Sequence, residues 1–161
     1  MRFLTPIAVA TLLAVAACGG ERSSTTSPTQ SAQPTVATSN IAGTYNVTIT
    51  VSSACASSLA QTDRQRVFLM SVAQTGRNVD GTLIGSAIGG LSGTVTGTSL
   101  AFILQVADQA SPLKLWAIGF AQGTATVSSS AAGLSGTFSD AVITSSGTCS
   151  ATNHSISFAK R

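Results

Sequence analysis

Residues 41 to 55 read IAGTYNVTITVSSAC, and this stretch decides the fold. Tyr45, Val47, Ile49 and Val51 fall on one face of an extended chain, and Thr44, Asn46, Thr48 and Thr50 fall on the other. An apolar and polar alternation of period two is the pattern of a half-buried strand. Gly43-Thr44 supplies the bend that opens it, and Cys55 just beyond it needs a partner. Cys149, almost at the other end of the chain, is the candidate. The stretch then reads as the first strand of a β domain whose last strand is tied back to it.

Working outward, residues 52–65 break the pattern and predict a loop or a single helical turn. Val67 to Gln74 is a second strand, apolar on both faces. Residues 75–78 turn, and Val79, Gly81 and Leu83 then alternate with Asp80, Thr82 and Ile84. Gly89-Gly90 reads as a break before Leu91, Gly93 and Val95. Gly97-Thr98 turns into the strongest strand, with Leu100, Phe102, Leu104 and Val106 on one face; Asp108 to Pro112 ends it, since proline cannot continue a sheet. Leu113 to Val127 carries Trp116, Ile118 and Phe120 on one face. Residues 128–130 turn, Leu134, Gly136 and Phe138 follow and run on toward Val142 and Ile143, and Thr152 to Ala159 closes the series with His154, Ile156 and Phe158 aligned.

A Gly-Thr pair recurs seven times, from Gly43-Thr44 to Gly147-Thr148. Glycine supplies a bend or bulge and threonine a β-branched restart, so the repetition predicts an antiparallel meander with short hairpins. Charged residues make up only 8% of the chain, which argues against long solvent-facing helices. The expected fold class is all-β: an antiparallel up-and-down meander of about eight strands, closed into a barrel, with a β-sandwich as the alternative. Closure puts the first and last strands side by side and removes the edges that a sheet poor in charge leaves open to aggregation. A membrane-spanning barrel is the rival architecture, but a lipid anchor would be redundant there.

The N-terminus carries a different message. Arg2 precedes an apolar run through Val15, and small residues lead to Cys18, the three-part layout of a secretory signal. Val15-Ala16-Ala17-Cys18 resembles the lipobox of bacterial lipoproteins, which implies lipidation of Cys18 after cleavage. Residues 1–17 are therefore read as a lipoprotein signal peptide. Residues 18–40 form a disordered tether rich in Ser and Thr, with almost nothing large enough to pack, and residues 41–161 form the all-β domain. The resemblance implies a protein held by acyl chains on the extracytoplasmic side of a bacterial membrane, in the cell envelope; Gly19 after the cysteine fits the outer membrane, and a monomer is expected. Without Arg2 the chain holds seven basic against five acidic residues, too scattered to form the basic stripe of a nucleic-acid binder.

With Cys18 committed to lipid, Cys55 and Cys149 are an even pair in an oxidising compartment, which reads as a disulfide. A metal site would need more ligands than His154 adds. His154 with Asp108 or Asp140 invites a catalytic reading, but no Gly-x-Ser-x-Gly elbow accompanies it, and no catalytic residue and no cofactor is assigned. Asp63, Arg64 and Arg66 could grip an anion, against the plainer reading of a solvated loop. Tyr45, Phe102, Trp116, Phe120 and His154 are the candidate lining of a ligand cavity, against the plainer reading of core. The many small residues fill less of a barrel interior than Leu or Phe would.

Gly43-Thr44-Tyr45 opening the first strand resembles the Gly-x-Trp start of lipocalins and the wider calycin group, with Tyr where the family has Trp. That resemblance implies a small up-and-down barrel with a bound apolar molecule. The whole layout is also similar to uncharacterised β-rich bacterial lipoproteins, which implies no activity. Two functions follow: a non-enzymatic, lipid-tethered barrel binding a small apolar ligand, or an envelope structural or protein-interaction module with a packed interior.

Overall fold

The computed structural model describes residues 37–111, 114–130 and 132–161. The expected signal peptide, Cys18 and most of the tether lie outside them. Eight strands follow one another: β1 Gly43–Thr50, β2 Gln65–Thr75, β3 Asn78–Ile84, β4 Ile88–Thr96, β5 Ser99–Ser111, β6 Lys114–Val127, β7 Gly133–Thr144 and β8 Gly147–Lys160. Each pairs antiparallel with the next, and β1 pairs with both β2 and β8, so the meander closes into a barrel. The sandwich alternative is thereby removed. Alternation dictates the inside: Tyr45, Val47 and Ile49 of β1 and Leu100, Phe102, Leu104 and Val106 of β5 are all buried. Along β2 the inward face proves to be Phe68, Met70 and Val72, while Val67 is 61% exposed.

One end of the barrel is closed by the chain entering it. Ile41 is buried, its N–H donates to Gln74 Oε1, and its carbonyl accepts from the Tyr45 hydroxyl at 2.8 Å. Ser39 N–H already bonds the Gly97 carbonyl, and Gln74 Nε2 donates to the Ser39 carbonyl. The barrel thus holds the chain from Ser39, two residues before the expected boundary. At the other end two short 3-10 helices, Ser53–Ser57 and Gln61–Asp63, and the turn between them carry Cys55 and Leu59 over the opening. Cys55 Sγ lies 2.04 Å from Cys149 Sγ. Cys149 sits within β8, so the link ties the cap to the closing strand.

Three expectations are corrected. Gly89-Gly90 belongs to β4, and the break falls at residues 85–87. The fifth strand continues past Asp108 to Ser111. Phe120 does not share a face with Trp116 and Ile118: it is 74% exposed while they are buried. The reason is a bulge. Val106 pairs with Ile118 and Leu104 with Ala121, so Gly119 and Phe120 together stand opposite Gln105 alone. An extra residue reverses the alternation, and β6 continues inward through Ala121, Ala125 and Val127.

The Gly-Thr pairs also have a different meaning from hairpin punctuation. Gly97 is in a turn at φ +59°, but Gly81, Gly93, Gly123 and Gly136 lie inside strands. There each glycine takes an inward position and its threonine points outward. The dyad marks places where the wall is thin on the inside and hydroxylated on the outside.

Candidate functional site

The five residues read as a cavity lining are dispersed. Tyr45 sits at the end where the chain enters, its ring edge-on to Phe158 at 6.2 Å, and burial raises its phenol above the ordinary value. Trp116 is at the opposite end, packed on Phe68 with ring centres 5.6 Å apart, and its indole N–H donates to the Asp63 carbonyl at 2.9 Å. Phe102 and His154 occupy one row across the middle, and Phe120 is outside. Among the described residues, a void inside the wall lined by Tyr45, Leu100, Leu134 and Phe158 among others measures about 10 Å³. A void of that size is at the lower limit for one water molecule.

The middle row explains how so many small residues still fill a barrel. Val79 pairs with Gly93, Gly93 with Phe102, Phe102 with Gly123, Gly123 with Phe138, and Phe138 with His154. From β3 to β7 large and absent side chains alternate strand by strand, and the row ends with two rings side by side, Phe138 and His154. A Cβ on Gly123 would lie 2.5 Å from Phe102 Cζ and 2.6 Å from the Thr137 carbonyl oxygen. The phenyl ring therefore uses the space a side chain would have taken, the arrangement by which aromatic residues compensate glycine in a sheet.

His154 ends that row and is fully committed to structure. Its Nδ1 accepts from the Ser52 N–H at 3.1 Å, so the proton sits on Nε2, which donates to the Asp140 carbonyl at 3.1 Å. The ring stacks on Phe138 with centres 5.1 Å apart. Burial is the main influence and pushes its pKa below the usual value; the hydrogen bond to Asp140 and the charge of that residue act in the opposite direction. A neutral imidazole with both nitrogens bonded to backbone is a clamp between β8, β7 and the cap, with no lone pair left for a proton transfer. The charged loop is committed in the same way: Arg64 donates to the Leu59 and Ala56 carbonyls. Arg66 faces Asp108 at 3.9 Å.

What the wall does offer lies on its outside. A shallow depression of about 760 Å³ runs over the middle row from β4 to β8, along the backbone of Gly93, Phe102, Gly123 and Phe138, whose side-chain positions face inward. One bank is Thr94, Ala101, Thr124 and Thr137, each paired with the next; the other is Ser92, Ile103, Gln122 and Ser139, paired likewise. A smaller depression of about 320 Å³ continues it at Ser92 and Ile103 toward Gln105, Phe120 and Asp80. Another, of about 390 Å³, continues it at Ser139 and Thr152 toward Asp140 and Ser150.

No family model, curated protein or solved structure matches this chain.

The groove is thus defined by this chain's own geometry. Its lining is inconspicuous in the sequence because each bank residue is an ordinary outward residue of its own strand, Ser, Thr or Gln except for Ala101 and Ile103 of β5. The available signal was the Gly-Thr dyad recurring in strands that the meander makes neighbours.

Proposed function

We propose that this protein is a non-catalytic module of the bacterial cell envelope, anchored by lipid on Cys18, that works through the outer wall of a filled barrel. The observation that carries this reading is the interior void of about 10 Å³, since pockets for small molecules run to roughly 300–1,000 Å³. The apolar-ligand reading suggested by the calycin-like Gly43-Thr44-Tyr45 start is therefore placed second. Two further features support a non-catalytic role: the one histidine has both nitrogens bonded to backbone, and Arg64 is spent on carbonyls. The lipobox-like Val15-Ala16-Ala17-Cys18 supports the anchor, and the stretch from Gly19 to Thr38 supplies reach between anchor and barrel.

The test has two arms on the full chain. Incorporation of labelled fatty acid should occur in the wild type and vanish in Cys18→Ala; label retained in the variant refutes the anchor. An apolar fluorescent probe should show no saturable enhancement with the purified protein. Saturable uptake abolished by Ala121→Phe, which would fill the interior further, refutes the filled-barrel reading and restores the ligand-binding one.

A further inference from the structure

We propose that the outer groove over the Gly93-Phe102-Gly123-Phe138 row binds an uncharged, extended polysaccharide lying across the strands, about one sugar unit per strand. The inference rests on the reading that the outer wall is the working surface, and it names the partner's chemistry.

The first argument is periodicity. The banks present one side chain per strand, and neighbouring strands are ~4.8 Å apart, comparable with the rise of one pyranose unit in a β-linked glycan. The two banks are two residues apart along each strand, roughly 7 Å, enough to seat a sugar ring on edge. A groove that continues at both ends into further depressions suits a polymer better than a compact ligand.

The second argument is chemistry. Hydroxyls of Ser92, Thr94, Thr124 and Thr137 and the amide of Gln122 both donate and accept, as sugar hydroxyls do. Among the described residues, no side-chain hydrogen bond engages any of these five, whereas Ser139 donates to the Thr152 carbonyl. Ile103 is 44% exposed and Phe120 is 74% exposed on the adjoining bank. They give the apolar C–H face of a sugar something to cover.

The third argument is charge. No Lys, Arg, Asp or Glu lines the central groove, and the two extensions carry Asp80 and Asp140. A polyanion would lose hydration with no cation to meet it and would face a carboxylate at each end. A neutral polymer meets neither penalty.

The experiment is amide NMR of the full chain with β-1,4-linked hexasaccharides of glucose, mannose and N-acetylglucosamine, up to the order of 1 mM, with an acidic hexasaccharide as control. At least one neutral sugar should shift the amides of residues 92–94, 101–103, 122–124 and 137–139. Thr124→Lys, which places a long cation in the groove from an exposed position, should weaken that binding about tenfold without changing the melting temperature. Silence toward all three neutral sugars, equal binding of the acidic one, shifts elsewhere on the barrel, or full affinity in Thr124→Lys would each overturn the proposal. Silence together with continued exclusion of the apolar probe removes the glycan alone and leaves the filled-barrel reading standing; uptake of the probe strikes that reading itself.

Discussion

Replacing Gly123 with Ala tests the mechanism by which this barrel is filled, because the ordinary effect and the effect expected here have opposite signs. In a strand that tolerates a side chain, Ala for Gly stabilises by about 0.4–1 kcal/mol through the unfolded chain. At Gly123 the new Cβ would sit 2.5 Å from Phe102 Cζ and 2.6 Å from the Thr137 carbonyl oxygen. The phenyl can rotate or retreat, but the carbonyl belongs to the β7 backbone and moves only if the β6–β7 ladder opens. Overpacking of this kind costs about 1–3 kcal/mol, leaving a net loss of about 1–2 kcal/mol. At about 4 °C per kcal/mol for a domain of this size, the melting temperature should fall by about 4–8 °C. Gly119→Ala is the control, since its nearest contact is Asp140 Oδ2 at 3.4 Å, and it should show the ordinary sign, equal to wild type or up to about 1 kcal/mol more stable. Phe102→Leu in the Gly123→Ala background should recover part of the loss, with a coupling above about 0.5 kcal/mol. Thermal and urea unfolding of five proteins, with Phe102→Leu alone completing the cycle, decides it. A Gly123→Ala protein as stable as wild type, or strict additivity with Phe102→Leu, refutes the idea that ring and glycine share one space.

Two further outcomes follow from the clamp and the cap. His154 has a lowered pKa in the folded state, so it binds fewer protons folded than unfolded. Stability should be unaffected by this group above the unfolded value of about 6.5 and should decline as pH falls below it toward the folded value. The decline, read from melting temperature against pH, should be absent in His154→Gln; an unchanged slope there would assign the acid sensitivity elsewhere. Cys55→Ser with Cys149→Ser should cost up to ~4–5 kcal/mol in the chain-entropy model for a sequence separation of 94. Chemical denaturation with and without reductant measures it, and a loss below about 1 kcal/mol would mean the Ser52 to Arg64 cap holds without its tie.

Much of the fold was legible because β geometry writes itself as alternation. Tyr45, Val47 and Ile49 announced the first strand, and Leu100 to Val106 the fifth, with no help from tertiary structure. Closure was legible more indirectly, from the cysteine pair and the lack of charge with which to guard an edge. Phe120 was misplaced because a bulge is a relation between two strands: the sequence of β6 alone shows Trp116, Ile118 and Phe120 in unbroken alternation, and only the pairing with Gln105 reveals the extra residue. His154 was read correctly as aligned with Ile156 and Phe158, but its two backbone partners come from residues 52 and 140, which only the closed ring brings near it.

The groove was illegible for a deeper reason. Gly93, Phe102, Gly123 and Phe138 are separated in sequence by nine, twenty-one and fifteen positions, and nothing local says that they share a row. Once the meander sets them side by side, a single arrangement has two consequences. On the inside, each ring occupies the volume its glycine neighbours leave, so the barrel is filled without large side chains at every position. On the outside, the same row is bordered by the residues that flank those four in sequence, one per strand on each bank: threonines, serines and a glutamine on β4, β6 and β7, and Ala101 and Ile103 on β5. Substitutions that enlarge an inward glycine should therefore disturb both stability and the groove, whereas substitutions of bank residues should disturb the groove alone. Gly123→Ala and Thr124→Lys, adjacent in sequence and opposite in face, separate the two: the first should lower the melting temperature and the second should not.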